Sequence, residues 1–119
     1  MRFTVDGYEA ENGEKPFEQA FNLFRSKSEK LYDKVMLWKD YLADDQYHKM
    51  PYCEPLGENL FVLRVQHGKH FARLFFTKTK TRVVLLLSGY YKTTNKMPDS
   101  EHMRARKLKE EFEGGRDAR

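Results

Sequence analysis

Residues 60–76, LFVLRVQHGKHFARLFF, constrain the fold more than any other stretch of the chain. They form two strand-like runs around Gly68 and Lys69, and a glycine in the first position suits a type II′ hairpin turn. A slip of one residue would mix apolar and charged faces, so the pattern fixes the register. The turn predicts these opposed pairs: Phe61 with Phe76, Leu63 with Leu74, Val65 with Ala72, Val62 with Phe75, Arg64 with Arg73, and Gln66 with Phe71.

This register places Arg64 directly opposite Arg73. Like charges so placed destabilise a sheet by about 0.2–1 kcal/mol. An arginine on a strand is usually paired with a carboxylate or extends along the surface toward water, yet no acidic residue occurs between Asn59 and Pro98. Because an anionic ligand would relieve the repulsion, the pair predicts an anion-binding face.

Positive charge is concentrated in the second half of the chain. Residues 60–109 hold 12 Lys and Arg against 2 Asp and Glu, a balance of +10, whereas the whole protein carries +4. Such a concentration is expected of a protein that binds a polyanion. A solvated lysine surface is the plainer alternative.

Length and composition indicate a single domain over residues 1–119, with residues 113–119 as a flexible tail. No apolar run approaches the length of a membrane span. The amino-terminal residues lack the apolar stretch of a signal peptide, so the sequence predicts a cytoplasmic protein. One cysteine, Cys53, excludes an internal disulfide and a cysteine-rich zinc site.

The first part of the chain predicts a short strand, RFTV, followed by two helices. Pro16 suits the first turn of a helix, and apolar residues then recur at helical spacing. Ser26 and Glu29 fit a capping box. We therefore predict a helical hairpin with helices over residues 16–24 and 27–43.

Three further segments complete the predicted order of elements. Residues 44–59 contain two prolines and a glycine and read as a connecting loop. Residues 83–89, VVLLLSG, are apolar on both faces and predict an interior strand. A last helix begins near Pro98 and ends at Gly114 and Gly115. Its apolar stripe is Ala105, Leu108 and Phe112.

The end of the third sheet strand is expected to reach the arginines, since that strand follows the hairpin in an antiparallel meander. Two guanidinium groups, two ammonium groups and a phenol would then line one concave surface. Guanidinium groups match phosphate oxygens, and tyrosine rings stack on the bases of single-stranded RNA. The residues assigned to this surface are Arg64, Arg73, Tyr90, Tyr91, Lys92 and Lys96.

The order of motifs over residues 55–112 resembles the RelE/ParE superfamily of toxin–antitoxin toxins, in particular its HigB-like, phage-related branch. The motifs are LG-x-x-L-x-x-LR, a glycine turn, R-[LI]-F-[FY], an apolar strand, and K-x-x-x-K-x-P before a terminal helix. The resemblance implies an α+β, RelE-like fold, with an antiparallel four-stranded sheet, an N-terminal helical hairpin and a C-terminal helix.

The same resemblance implies the toxin of a type II toxin–antitoxin system, acting as a ribosome-dependent mRNA endoribonuclease. Such toxins cut mRNA in the ribosomal A site. The 2′-hydroxyl of the RNA attacks the adjacent phosphate and leaves a 2′,3′-cyclic phosphate, and neither a metal nor a cofactor is needed. The implied partners are the ribosome, its mRNA and a cognate antitoxin, often a helix-turn-helix protein in this branch.

Residue roles follow from the resemblance by position. Arg73 is expected to hold the phosphoryl oxygens. Arg64 stands where relatives often place a lysine base, but arginine keeps its proton near neutral pH, so a second phosphate clamp is expected. The base stays open among Lys92, Lys96, His67 and His70, and Tyr91 would stack on or position a nucleobase. The expected substrate contacts are His67, His70, Tyr90, Arg104 and Lys107.

Two other functions remain open from the sequence. One is a ParE-like toxin that inhibits a topoisomerase by binding it, although such a role would not require a focused phosphate site. The other is a non-catalytic RNA-binding or ribosome-binding protein of phage origin. A metal site at Cys53, His48, His67 and His70 is disfavoured because no carboxylate lies nearby, and Cys53 lacks the setting of a nucleophile.

Overall fold

The computed structural model describes residues 2–115 and shows an α+β fold. Its strands are β1 Thr4–Gly7, β2 Cys53–Gly57, β3 Leu60–His67, β4 His70–Lys78 and β5 Val83–Lys92. Its helices are α1 Pro16–Lys27, α2 Glu29–Tyr41 and α3 Asp99–Gly114, with a short 3-10 helix at Asp45–Tyr47. The strands form one sheet in the order β1-β5-β4-β3-β2. No helix within the described residues is long and apolar enough to cross a membrane.

The sheet has five strands and is mixed, so the expectation of a four-stranded antiparallel sheet is wrong. The additional strand is β2, which lies at one edge inside the segment that we interpreted as a loop. Pro55 misled that interpretation, because proline is tolerated on an edge strand where one side needs no hydrogen-bond partner. At the other edge β1 pairs in parallel with β5. Strand β1 extends through Gly7, beyond the predicted RFTV segment.

The helical hairpin is present, but its break lies two residues later than predicted. Ser28, not Ser26, is the N-cap of α2, and its hydroxyl accepts a hydrogen bond from the Leu31 N–H at 3.1 Å. The Ser26 hydroxyl instead donates to the Leu23 carbonyl at 2.7 Å, within α1. Since both serines precede an apolar run, sequence spacing alone did not distinguish the cap.

The predicted β3–β4 register is confirmed at every pair, including Arg64 opposite Arg73. His67 pairs with His70 and closes the turn. Gly68 has φ +59°, the left-handed value that the first position of a type II′ turn requires. The alternation of apolar and polar residues was therefore sufficient to fix the register.

Both faces of the sheet are covered, and the two faces differ. One face packs against α1 and α2; we call it the helix-pair face. The other carries Arg64 and Arg73 and is partly covered by α3; we call it the arginine face. Core residues of the helix-pair face include Phe24, Leu31, Val35, Leu63, Leu74 and Phe76. Those of the arginine face include Leu60, Val62, Phe75, Leu87, Tyr90 and Ala105.

A β-bulge in β5 determines which residues at the C-terminal end of this strand lie on the arginine face. Phe76 pairs with Leu86, whereas Leu74 pairs with Gly89. One residue of β4 thus faces two of β5, as in a β-bulge. Beyond the bulge, Tyr90 becomes the cross-strand partner of Arg73. Without the additional residue, the alternation would have placed Tyr90 on the helix-pair face.

The C-terminal helix follows its predicted stripe. Ala105 is fully buried, and Leu108 and Phe112 pack against the arginine-face core. The helix extends through Gly114, and Lys109 forms an ion pair with Glu113 at 2.7 Å. The predicted tail therefore does not begin at residue 113, and its residues 116–119 lie outside the described part of the chain.

Gly89 lies where α1 packs closely against β5. A Cβ at this position would lie 2.7 Å from the Arg73 carbonyl oxygen and 2.9 Å from the Ala20 Cβ. We expect Gly89→Ala to lower the free energy of unfolding by about 1–3 kcal/mol, because overpacking displaces backbone here. Gly114→Ala is the matched control, since nothing lies within 4 Å of its Cβ. Urea unfolding of both variants tests this, and equal stabilities would contradict it.

Burial of His48 predicts acid sensitivity. Its Nε2–H donates to the Leu42 carbonyl at 2.7 Å, and burial lowers the pKa of His48. Because the folded-state pKa is depressed, this contribution to stability is complete above the unfolded pKa of about 6.5 and is lost as pH falls through the folded value. We expect urea midpoints to fall between about pH 7.5 and pH 5. His48→Gln should flatten that dependence, and an unchanged slope would exclude His48 as its source.

Candidate functional site

The arginine face carries a row of three polar residues across the sheet. Arg64 on β3 faces Arg73 on β4, and Arg73 faces Tyr90 on β5. The neighbouring row contains Phe71 and Lys92. Side chains of such rows lie about 4.5–5.5 Å apart at Cβ, so two guanidinium groups, a phenol and an ammonium group share one surface. Within residues 2–115 neither arginine forms an ion pair with a carboxylate.

Arg73 is buried, with 6% of its surface exposed, and its guanidinium is held in place. Nη1 donates to the Ala72 carbonyl at 3.1 Å and to the Val65 carbonyl at 3.5 Å, and Nη2 donates to Asn95 Oδ1. The guanidinium also lies 5.3 Å from the centre of the Phe71 ring. All its hydrogen-bond acceptors are neutral, so its positive charge remains available to an anion.

Arg64 is less buried and less constrained than Arg73. Its one described side-chain contact is a weak one, from Nη1 to Met50 Sδ at 3.5 Å. Its backbone N–H donates to the Tyr52 carbonyl, one residue before β2 begins at Cys53. Because β2 does not continue alongside it, Arg64 lies at an open corner of the sheet and most of its N–H groups are free for a ligand.

Burial and neighbouring charges shift the pKa values of Arg73 and Tyr90. Burial lowers the pKa of Arg73, and the positive charge of Arg64 acts in the same direction. Burial raises the pKa of Tyr90, and the carboxylates of Glu54 and Glu101 also raise it. Glu54 also raises the pKa of Arg73, so β2 and α3 bring negative charge close to the row without forming ion pairs with it.

Tyr91, which we assigned to the surface of the arginines, lies away from the arginine row, and so do His67 and His70, the predicted substrate contacts at the turn. Tyr91 pairs with Ala72 and packs with the helix-pair core. Its hydroxyl is 2.6 Å from His70 Nδ1, and Lys27 Nζ lies 5.6 Å from the centre of its ring. His67, the pair of His70 across the turn, lines a groove beside α2. Adjacent strand residues lie on opposite faces, and the β5 bulge places Tyr90, not Tyr91, on the arginine face. No sequence pattern predicts this bulge.

The predicted lysines and the predicted cations of α3 are all exposed, but they lie in different parts of the fold. Lys92 belongs to the arginine face, and Lys96 lies in the loop that leads to α3. Arg104 and Lys107 are exposed on α3, where both line a depression with Met103. Only Lys92 is thus aligned with the arginine row by strand pairing.

Sequence reasoning missed two residues of this site, Asn95 and Glu54. Asn95 lies in the polar segment TTNK, and nothing in its spacing indicates that its side chain accepts from Arg73. Glu54 was overlooked because its segment read as a loop, whereas β2 in fact pairs it with Val62 on the arginine face. No acidic residue occurs between Asn59 and Pro98 in the sequence, but Glu54, from outside this segment, lies close to the arginines in space.

The described residues offer no metal site and no reactive thiol. No group of three or more His, Cys, Asp and Glu side chains comes together within residues 2–115. Cys53 is fully buried in the core, and burial raises the pKa of its thiol to about 12. The ionisable groups described on or near the arginine face are cations, a phenol and carboxylates.

Comparison with known proteins places the chain in a family. Residues 22–110 match the family described as "Phage derived protein Gp49-like (DUF891)". The match spans most of the chain, so the protein belongs to this phage-derived, Gp49-like family. A search of curated proteins finds no match. Among solved structures, the fold is similar to a chain in the crystal structure of the archaeal RelE–RelB complex from Pyrococcus horikoshii OT3. The identity is 14% and the TM-score 0.46, covering 75% of this chain and 93% of that chain.

The unpaired arginines predict stabilisation by anions. We expect inorganic phosphate to raise the unfolding temperature, because a ligand that binds only the folded state stabilises it by mass action. Arg64→Gln should remove most of this effect and should not destabilise the phosphate-free protein, since it relieves a repulsion of about 0.2–1 kcal/mol. Arg25→Gln, a change on the exposed side of α1 at the helix-pair face, is the control and should retain the phosphate response. Equal responses of the two variants would place the anion elsewhere.

Proposed function

We propose that this protein is the toxin of a type II toxin–antitoxin system and cleaves mRNA on the ribosome. The observation that carries the proposal is the Arg64–Arg73 pair, which lies on one face of the sheet without a carboxylate partner among the described residues. Membership of the Gp49-like family and the sequence resemblance to HigB-like toxins support the same function.

The proposed reaction is an internal transfer at one phosphate of the RNA. The 2′-hydroxyl oxygen forms a bond to phosphorus and gives up its proton, while the bond to the 5′-oxygen breaks and that oxygen takes a proton. The products are a 2′,3′-cyclic phosphate and a 5′-hydroxyl. Charge develops on the phosphoryl oxygens, and positioned cations that match it stabilise the transition state.

The two arginines would divide this work. Arg73 is fixed by neutral acceptors and holds a cation at one position, as a preorganised site requires. Within residues 2–115 the Arg64 side chain has only a weak sulfur contact, so it can turn its planar N–H groups toward two phosphoryl oxygens. We therefore assign direct phosphate binding mainly to Arg64, and assign to Arg73 a fixed positive charge beneath it.

The candidates for proton transfer differ in their distance from the arginine face. Lys92 lies on the arginine face and Lys96 in the adjoining loop, so both remain candidates. Glu54 adds a carboxylate near Arg73 and Tyr90. His70 is less suited, because it contacts Tyr91 on the opposite face. A base must lie within hydrogen-bond reach of the 2′-hydroxyl, which favours groups on the arginine face.

The proposal includes partners and a compartment. Ribosomes and mRNA are the substrate assembly, and a cognate antitoxin of helix-turn-helix type would neutralise the protein in the cytoplasm. The excess of cations over residues 60–109 suits binding to ribosomal RNA and mRNA, whose phosphates attract such surfaces.

Toeprinting on translating ribosomes tests the proposed activity directly. We expect the purified protein to cut mRNA and to leave fragments with 2′,3′-cyclic ends. Arg64→Ala and Arg73→Ala should each reduce the cleavage rate by about 10²–10³-fold, the usual cost of removing a positioned donor. Arg25→Ala serves as the control, because Arg25 is exposed on α1, which packs against the helix-pair face.

Expression in bacteria separates the alternatives. Growth arrest with fragmented mRNA agrees with the proposal. Growth arrest with intact mRNA would instead indicate a topoisomerase inhibitor. Ribosome binding without arrest or cleavage would indicate a non-catalytic RNA-binding protein.

A further inference from the structure

A groove of about 500 Å³ opens beside the arginine row, between α2, the loop before β2 and the β3–β4 turn. Strand pairing places Arg64 on the arginine face, yet its side chain also lines this groove. The groove is therefore continuous with the proposed phosphate site through one residue. The side chains that matter to its chemistry are Lys34, Trp38, Pro51, Tyr52, Arg64 and His67.

Aromatic rings form one wall of the groove. Trp38 stacks on Tyr52, with ring centres 5.3 Å apart and planes 27° from parallel. Tyr47 supports both rings edge-on, at 5.9 Å from Trp38 and 5.2 Å from Tyr52. Tyr41 packs against Trp38 from another side, at 5.1 Å. Trp38 and Tyr52 are partly exposed and line the groove, so this pair presents a prearranged aromatic surface to solvent.

The charges of the groove have one sign. Lys34 and Arg64 line it, and no Asp or Glu does among the described residues. Lys34 Nζ donates to the Gln66 carbonyl at 2.6 Å, which holds its ammonium group against the β3 wall. An aromatic surface bordered by cations and free of carboxylates matches a nucleotide, whose base stacks while its phosphate meets positive charge.

We propose that this groove binds a nucleobase of single-stranded RNA, stacked against the Trp38–Tyr52 pair, next to the phosphate held by Arg64. The inference rests on the proposed function, which it deepens by assigning a subsite for the nucleotide that neighbours the cleaved bond. Arg64 would connect the two subsites, because its guanidinium can contact the phosphate that joins the two nucleotides. The aromatic pair would then fix the RNA chain relative to the reacting phosphate.

Fluorescence of Trp38 tests the proposal, since it is the single tryptophan of the chain. The probe is an RNA trinucleotide with 2′-O-methyl groups, which block the attacking hydroxyl and prevent cleavage. We expect it to quench Trp38 fluorescence saturably. An abasic oligomer with the same number of phosphates should bind more weakly and leave the fluorescence unchanged. Equal quenching by both oligomers would overturn the proposal, because phosphate binding alone would explain it.

Two tyrosine variants form a matched pair. Tyr52→Leu should weaken binding of the trinucleotide by about 5- to 100-fold, the cost of losing one stacked base. Tyr41→Leu is the control: Tyr41 also contacts Trp38 but does not line the groove, so binding should be unchanged. Circular dichroism confirms that both variants fold. Equal losses in the two variants would show that the cluster is only structural and would overturn the proposal.

The outcomes for the groove and for the nuclease are separable. Quenching by the trinucleotide without cleavage on ribosomes would retain the base subsite and refute the nuclease. Cleavage that Tyr52→Leu leaves unchanged, with no quenching by the trinucleotide, would retain the nuclease and overturn the base subsite. If an antitoxin segment is the real occupant of the groove, the trinucleotide will not quench Trp38 and the proposal fails.

Discussion

The register of the β3–β4 hairpin is the constraint on which the rest of the structure depends. Gly68 adopts φ +59° at its turn, and the pairing that follows sends one set of apolar residues to the helix-pair face. The same pairing necessarily sets Arg64 against Arg73. A one-residue slip would bury an arginine under α1 and α2, at a cost far above the about 0.2–1 kcal/mol of like-charge contact. The paired arginines are thus the tolerated consequence of a well-packed core.

The β5 bulge is the second feature that determines which side chains lie on the arginine face. One additional residue reverses the alternation of the strand end, so Tyr90 and Lys92 join the arginines while Tyr91 joins the helix-pair side. Bulges commonly redirect side chains beside functional sites. Because adjacent strand residues lie on opposite faces, the bulge determines which of the two tyrosines joins the arginines. Tyr90 is buried beside Arg73, and Tyr91 contacts His70 near the far turn.

Sequence patterns predicted those features that local alternation or helical spacing controls, namely the hairpin register, the interior strand β5 and the apolar stripe of α3. They did not predict β2, because Pro55 and Gly57 resemble a loop while an edge strand accepts them. The direction of β1 was not predicted either, since periodicity carries no information on pairing partners. For the site, the arginine pair was predictable, whereas the Asn95 contact and the place of Tyr91 depend on loop path and bulge.

The different surroundings of the two arginines explain how the arginine face can be stable in the free protein and still bind an anion. Arg73 is satisfied by neutral oxygen acceptors, which meet the needs of a buried guanidinium without cancelling its charge. Arg64, at the open corner where β2 begins, has one thioether as its side-chain partner among the described residues, which leaves most of its donors free. A carboxylate paired with either one would stabilise the free protein but compete with phosphate. Placing Glu54 near the row, yet outside ion-pair distance, limits the repulsion and leaves the anion site open.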